Sequence, residues 1–301
     1  MLSKRLLYTL LLTLPVSSYS HTGGLNKEGC HTNKKTATYH CHQQKKSTKR
    51  SEPNKPTQSA LSKSELSSPA LIEQVDDHRQ DLMKLDYEGF TIWLDCQKRG
   101  AVKFRYNAQR DTGNFKRSSR FYLDPNVPKE CQQYSAKTYK AKDQRYDRGH
   151  LVPANHLDYS KSAIKGSNTM TNILPQAANM NRGAWLMTEE ITECYRDIAD
   201  LLIIGGVIWG NNPDDDYFVK SHGVKTPSAF WKVIIRGTGS NERAIAWIVP
   251  NSQEATRKKS DAYIVSIKEI ERVTGEMVPV ADFTKYDKSN PWVIPRGCNK
   301  G

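Results

Sequence analysis

Apolar and polar positions alternate through Phe90-Thr91-Ile92-Trp93-Leu94-Asp95-Cys96, stop at a polar turn over residues 97–100, and resume through residues 101–106. A period of two on either side of a short turn predicts a β-hairpin. Residues 201–209 are apolar throughout and end in Asn211-Asn212-Pro213, the pattern of a strand buried on both faces. Two further apolar runs, 229–235 and 244–249, predict two more sheet strands. The period changes in two places. Ser266 with Glu269 forms a capping box that opens a helix ending before Gly275. Ala184, Met187, Ile191, Cys194 and Ile198 recur at three- and four-residue steps, which predicts a helix from Gly183 to about Leu201 with those residues toward the core. Glu189, Glu193, Arg196 and Asp200 keep the same period on another face, and Asn181 falls just before the helix, placed either to cap it or to enter a site.

The pattern begins near Leu82, so the folded domain is assigned to residues 82–301, with the clearest periodicity ending near Trp292. Residues 43–81 are rich in Lys, Ser, Pro, Gln and Thr without period and predict a disordered linker. Residues 1–20 combine Lys4 and Arg5, a short apolar run and the small residues Ser18 and Ser20, the composition of a signal peptide. Residues 21–42 form a small Cys/His segment with few apolar residues.

Export changes how the cysteines read. Six of them (Cys30, Cys41, Cys96, Cys131, Cys194, Cys298) in an oxidising compartment predict disulfides, with Cys30 and Cys41 the natural local pair and the other connectivity open. Cys30-His31 and His40-Cys41-His42 also present zinc-ligand types, although their spacing is wider than a metal knuckle. A net charge of +13 calls for an anionic partner, nucleic acid or a membrane surface. No later segment is apolar for long enough to span a bilayer.

The densest chemistry lies in Asp147-Arg148-Gly149-His150 and, thirty residues on, Asn181-Arg182-Gly183-Ala184-Trp185. Phosphodiester hydrolysis needs a base for the attacking water, cations against the phosphoryl oxygens, and help for the departing oxygen. An imidazole titrates near neutrality and suits the first task, so His150 is the candidate base. The forked guanidinium donors of Arg148 and Arg117 suit phosphate oxygens. The amide oxygen of Asn181 suits a hard cation such as Mg²⁺ that keeps most of its waters.

With Leu151-Val152-Pro153-Ala154, Asn168, Asn172-Ile173-Leu174-Pro175-Gln176 and the later blocks Pro227-Ser228-Ala229-Phe230-Trp231-Lys232-Val233, Ile248-Val249-Pro250-Asn251 and Ile270-Glu271-Arg272-Val273-Thr274-Gly275, the series resembles the DNA/RNA non-specific endonucleases over roughly residues 90–280. That resemblance implies an α+β fold, a ββα-metal (His-Me finger) nuclease core in a mixed, mainly antiparallel sheet domain. It also implies His150 as general base, Asn181 as direct Mg²⁺ ligand (Mn²⁺ substituting) and Glu189 holding a metal-bound water. Arg148 and Arg117 would stabilise the transition state, with Asn168 and Asn172 orienting a loop or touching phosphate; Arg182 and Arg196 join the substrate-binding set. The implied activity is cleavage of DNA and RNA leaving 5′-phosphates; separately, Lys27-Glu28-Gly29 before Cys30 is not a lipoprotein cleavage pattern, so no membrane anchor is expected. One position departs: where the family carries an arginine one turn after the glutamate, this chain has Glu193, and Arg196 is placed to reach back instead.

Simpler readings stand beside these. Asn181 as a helix cap, Glu189, Glu193 and Arg196 as a solvated ion-paired face, and His156 and His222 as structural histidines all fit the residue types. A nuclease-like protein that only binds extracellular nucleic acid, and a metal-carrying or envelope-binding protein acting through residues 21–42, are the rival functions.

Overall fold

The computed structural model describes residues 30–33, 38–41 and 82–300; the expected signal peptide and linker lie outside the described residues. The chain divides into two units, residues 1–62 and 63–301. In the first, β1 (Cys30–Asn33) and β2 (Thr38–Cys41) pair antiparallel, with Cys30 opposite Cys41 and His31 opposite His40.

The second unit is built on β3 (Leu82–Tyr87), β4 (Phe90–Asp95), β5 (Gly100–Ala108), β8 (Leu201–Ile208), β9 (Ala229–Arg236), β10 (Arg243–Pro250) and β11 (Ile264–Val265). They form one seven-stranded sheet in the order β11-β10-β9-β8-β5-β4-β3. Every pairing in it is antiparallel, so the expected mixed sheet is antiparallel throughout these strands. β6 (Tyr146–His150) and β7 (Ile173–Ala177) make a separate antiparallel pair. The helices are α1 (Lys161–Ser167), α2 (Ala178–Met180), α3 (Leu186–Arg196), α4 (Val219–His222), α5 (Ile267–Thr274) and α6 (Asp282–Lys285). None is long and apolar enough to cross a membrane among the described residues.

Apolar runs form the middle strands because the sheet is covered on both faces. On β9 the pleat sends Phe230 and Ile234 into a core shared with Trp185, Leu174 and Met180, while Trp231, Val233 and Ile235 pack with Ile267 and Ile270 of α5. Lys232 falls on the first of these faces and is fully buried. α5 starts where the capping box predicts, with Ser266 Oγ accepting from the Glu269 backbone N–H, and ends at Gly275 with φ +74°.

The helix expected over 183–201 differs at both ends. Helical backbone already begins at Ala178 and runs through a π-turn, Asn181–Trp185, into α3, so Asn181 is inside the helical run with φ −56° and ψ −46°, and does not cap it. Extra room in that turn lets the Ala184 N–H donate to the carbonyl of Ala255 at 3.2 Å. At the other end α3 stops at Arg196, because Leu201 already pairs with Arg236 in the sheet and the chain must reverse in between. Ile198 is consequently 59% exposed and not a core residue. Two disulfides fasten this unit, Cys96–Cys131 and Cys194–Cys298.

Candidate active site

The β6–β7 ribbon followed by the helical run 178–196 brings the two halves of the sequence motif together. His150 is the last residue of β6, opposite Ile173, and its carbonyl accepts from Trp185 Nε1 at 3.3 Å, tying the strand end to the π-turn. Gly149 is required between Arg148 and His150, since a Cβ there would stand 2.1 Å from the Gln176 side chain. His150, Arg148, Arg117, Asn181, Arg182 and Glu189 all line one cavity of about 430 Å³.

The hydrogen bonds around His150 define its tautomer. Asn168 donates through Nδ2 to the carbonyls of Ser118 (2.8 Å) and Arg120 (3.0 Å), which can only accept. Its Oδ1 therefore faces His150 Nε2 at 2.9 Å, and that nitrogen must carry the proton. Nδ1 is left as the basic nitrogen. Burial, then the charges of Arg117 and Arg148, push the His150 pKa down to about 3, against the opposing pull of Asn168. The ring is therefore neutral at pH 7. Arg148 is held by the Ala136 carbonyl (2.8 Å) and lies over the Phe121 ring at 3.9 Å, and Phe121 in turn packs against the imidazole.

Asn181 is oriented by the same logic. Its Nδ2 donates to Asp147 Oδ2 at 2.9 Å, so the atom it offers the cavity is the carbonyl oxygen. Asp147 also receives Arg182 Nε and a second guanidinium nitrogen at 2.8 and 2.6 Å, a bidentate pair at the cavity rim. Glu189, two turns along the helical run, adds a half-buried carboxylate. Burial raises its pKa, opposed by the positive charges of Lys232 and Arg117. Lys232 donates to Thr188 Oγ1 at 2.8 Å and sits over the Trp185 ring at 3.9 Å, so a buried ammonium underlies the helix that carries both cavity oxygens. Burial pushes this lysine down to about 8.

Three sequence expectations are narrowed. Of the two roles expected of Asn172, orienting a loop or touching phosphate, its bonds fit the first: it is fully buried, with Oδ1 accepting from Val152 N–H and Nδ2 donating to the carbonyls of Val152 and Ser167, so it shapes the loop after β6. Asn168 is likewise fully buried, and its side chain is spent on His150 and two carbonyls. Arg196 does not reach back toward the cavity. It is 3% exposed, ion-paired with Glu193 and, at 3.3 Å, with Asp111, so this part of the helix is a buried ion pair and not a solvated face. Glu193 in turn lies 3.3 Å from His156, whose other ring nitrogen is 2.8 Å from the Tyr106 hydroxyl. His222 is also buried, with Nε2 donating to the Lys137 carbonyl at 3.0 Å.

Several residues escaped the sequence reading. Asp147 stood inside the motif without a role, and Lys232 was a lone charge in an apolar strand, a signal that deserved more weight. Phe121, Phe115 and Lys300 carried no local signal, because only the folded chain brings them to the site.

Comparison with known proteins matches residues 67–286 to the family described as DNA/RNA non-specific endonuclease. A nuclease of Nostoc sp. is 29% identical over 176 residues, 54% of this chain and 60% of that protein. The human mitochondrial nuclease EXOG is 27% identical over 170 residues, covering 52% of this chain and 45% of its own. Bovine mitochondrial endonuclease G is 24% identical over 199 residues, 62% of this chain and 65% of that one. The chain thus spans about half the length of the curated relatives it matches. A chain in a crystal structure of the EndoG/EndoGI complex shares the fold at a TM-score of 0.52 and 18% identity, covering 65% of this chain and 84% of that chain.

Proposed function

The chain belongs to the DNA/RNA non-specific endonuclease family, and from that premise we propose that it is an exported, Mg²⁺-dependent endonuclease cleaving DNA and RNA with little sequence preference and leaving 5′-phosphates. One observation carries the reading. A neutral imidazole with its Nε2 proton committed to Asn168 shares a cavity with the carbonyl oxygen that Asn181 presents and with Glu189.

His150 Nδ1 takes the proton of the attacking water. Its depressed pKa keeps it unprotonated at neutral pH. The arriving phosphate offsets Arg117 and Arg148, the charges that depress it, so basicity rises when substrate is in place. Arg148 and Arg117 donate to the phosphoryl oxygens as charge accumulates there. The donor set fits a hard divalent cation: an amide oxygen with its nitrogen engaged elsewhere and a carboxylate in the same cavity, without thiolate. Asn181 would hold Mg²⁺ directly, with Mn²⁺ substituting, and Glu189 would hold it through water. When bound, such an ion neutralises phosphate charge and acidifies its waters. The β6–β7 ribbon followed by its helix supports reading this region as the ββα arrangement, and Arg182 adds a cation at the rim. Two disulfides fit an oxidising compartment and the proposed signal peptide at residues 1–20. Contacts made mainly to phosphate carry little base information, which accounts for broad substrate use.

Incubation of supercoiled plasmid and of total RNA with the full chain tests the proposal. Both are degraded with Mg²⁺ and spared with excess chelator; intact nucleic acid in both conditions contradicts it.

A further inference from the structure

The segment beyond α6 returns to the active-site helix and is fastened to it at successive points. Trp292 packs on Tyr195 with ring centroids 4.8 Å apart and lies under the Arg236 guanidinium at 5.0 Å. The Val293 carbonyl accepts from the Tyr195 hydroxyl at 3.1 Å. Cys298 is then bonded to Cys194. Glu190 lies one helical turn before Cys194 on the same face, and there Lys300 Nζ comes within 3.2 Å of its carboxylate. The segment therefore runs back along α3 toward the cavity, and Lys300 is part of the cavity wall with His150, Arg117 and Asn181.

Charge accounting gives Lys300 a purpose beyond pairing. Glu190 is already gripped by both terminal nitrogens of Arg257, at 2.7 and 2.5 Å. One carboxylate faces two cations, so a full positive charge is in excess at this wall. The Lys300 side chain remains 46% exposed while Arg257 fills the bidentate position. The segment also lies outside the residues matched to the family, which end at 286.

We infer that residues 292–300 form a disulfide-fastened strap that presents Lys300 to a backbone phosphate of a nucleic-acid strand lying across the cavity, beside the phosphate being cleaved. The inference rests on the proposed nuclease function for the identity of the ligand. It assigns Lys300 to binding, and the Cys194–Cys298 bond to holding it in place. Long lysines lose rotamer freedom when they bind, and a covalent anchor two residues away removes part of that cost beforehand.

The test is fluorescence anisotropy of a labelled duplex oligonucleotide with full-length protein in chelator, across a salt series, followed by KM and kcat with Mg²⁺. Lys300→Ala should weaken binding by about 3–10-fold, carry the loss in KM, and flatten the log affinity against log salt plot by about one phosphate contact. The double variant Cys194→Ser/Cys298→Ser should show a similar loss, and adding Lys300→Ala to it should cost little more. Unchanged affinity and salt slope in Lys300→Ala overturn the inference, as do fully additive losses in the combined variant. Thermal unfolding of each variant separates loss of the strap from loss of the fold. Binding that responds to Lys300 in a protein that does not cleave would refute the nuclease proposal and leave the strap standing.

Discussion

Two buried histidines six residues apart, His150 and His156, show what separates the proposed base from a structural imidazole. Both are nearly inaccessible and both have pKa values pushed down chiefly by burial and then by nearby positive charge. Around His156 the protein closes over both ring nitrogens: Nδ1 bonds with the Tyr106 hydroxyl, while Nε2, without a hydrogen bond among the described residues, is walled in 3.3 Å from the Glu193 carboxylate. Around His150 only Nε2 is occupied, by Asn168, and the ring lines an open cavity. Burial, a shifted pKa and a ring nitrogen without a partner do not distinguish the two; the difference is that His150 stands beside a space that a substrate can enter and His156 does not.

The contrast is broken most severely by substituting each histidine. His150→Ala should lower plasmid cleavage by about 10²–10⁴-fold with little change in thermal stability. His156→Ala should do the reverse, costing about 1–3 kcal/mol in denaturant unfolding by leaving the buried Tyr106 hydroxyl without its partner while cleavage by the folded fraction persists. Equal activity losses in the two variants would erase the distinction. A smaller effect is expected from Asn168→Ala, which frees Nε2 and lets the wrong tautomer form: roughly 10–100-fold in kcat, with the fold retained.

The pH dependence sharpens the comparison further. The basic form of His150 is lost only as pH falls through its depressed pKa, so the acid limb of kcat/KM should lie well below 6.5, the ordinary histidine value. Asn168→Asp keeps the acceptor but adds a negative charge, which should move that limb upward. An acid limb centred near 6.5 in the wild type would remove the electrostatic account of Arg117 and Arg148. The same shifts bear on stability. Both histidines have folded pKa values below those of the unfolded chain, so their contribution is fully present above pH 6.5 and declines as pH falls below it, where the unfolded chain takes up protons first. Glu193, raised to about 7 mainly by burial, contributes in the opposite sense, losing stability as pH rises from its unfolded value through 7. His156→Gln should therefore lessen the acid-side decline seen in urea titrations. That is the smallest of these effects.

What could be read from the chain beforehand follows from how local each signal is. The strands β8, β9 and β10 were legible because burial on both faces leaves long apolar runs, and α5 because its capping residues lie within its own first turn. The residues about His150 were legible as a motif, but their partners were not. Asn168 read as either a loop-orienting amide or a phosphate contact because an exposed amide and an amide spent inside a loop have the same letter; only the carbonyls of Ser118 and Arg120 separate the cases. Arg196 carried the right period to reach the cavity, yet the buried carboxylate of Glu193 and the partly exposed one of Asp111 claim it. The π-turn at Asn181 depends on an acceptor at Ala255, more than seventy residues away, and no helical period encodes that. The strap ending at Lys300 depends on a disulfide whose partner the sequence left open.

The central claim is that His150 holds its proton on Nε2 and keeps Nδ1 basic within the cavity. Nitrogen-15 NMR of histidine-labelled protein at pH 7 reads this directly. The account predicts a neutral His150 ring protonated at Nε2, with an Nδ1 signal that shifts when a nucleic-acid strand is added in the presence of chelator. A ring protonated at Nδ1, or charged at both nitrogens, would contradict it.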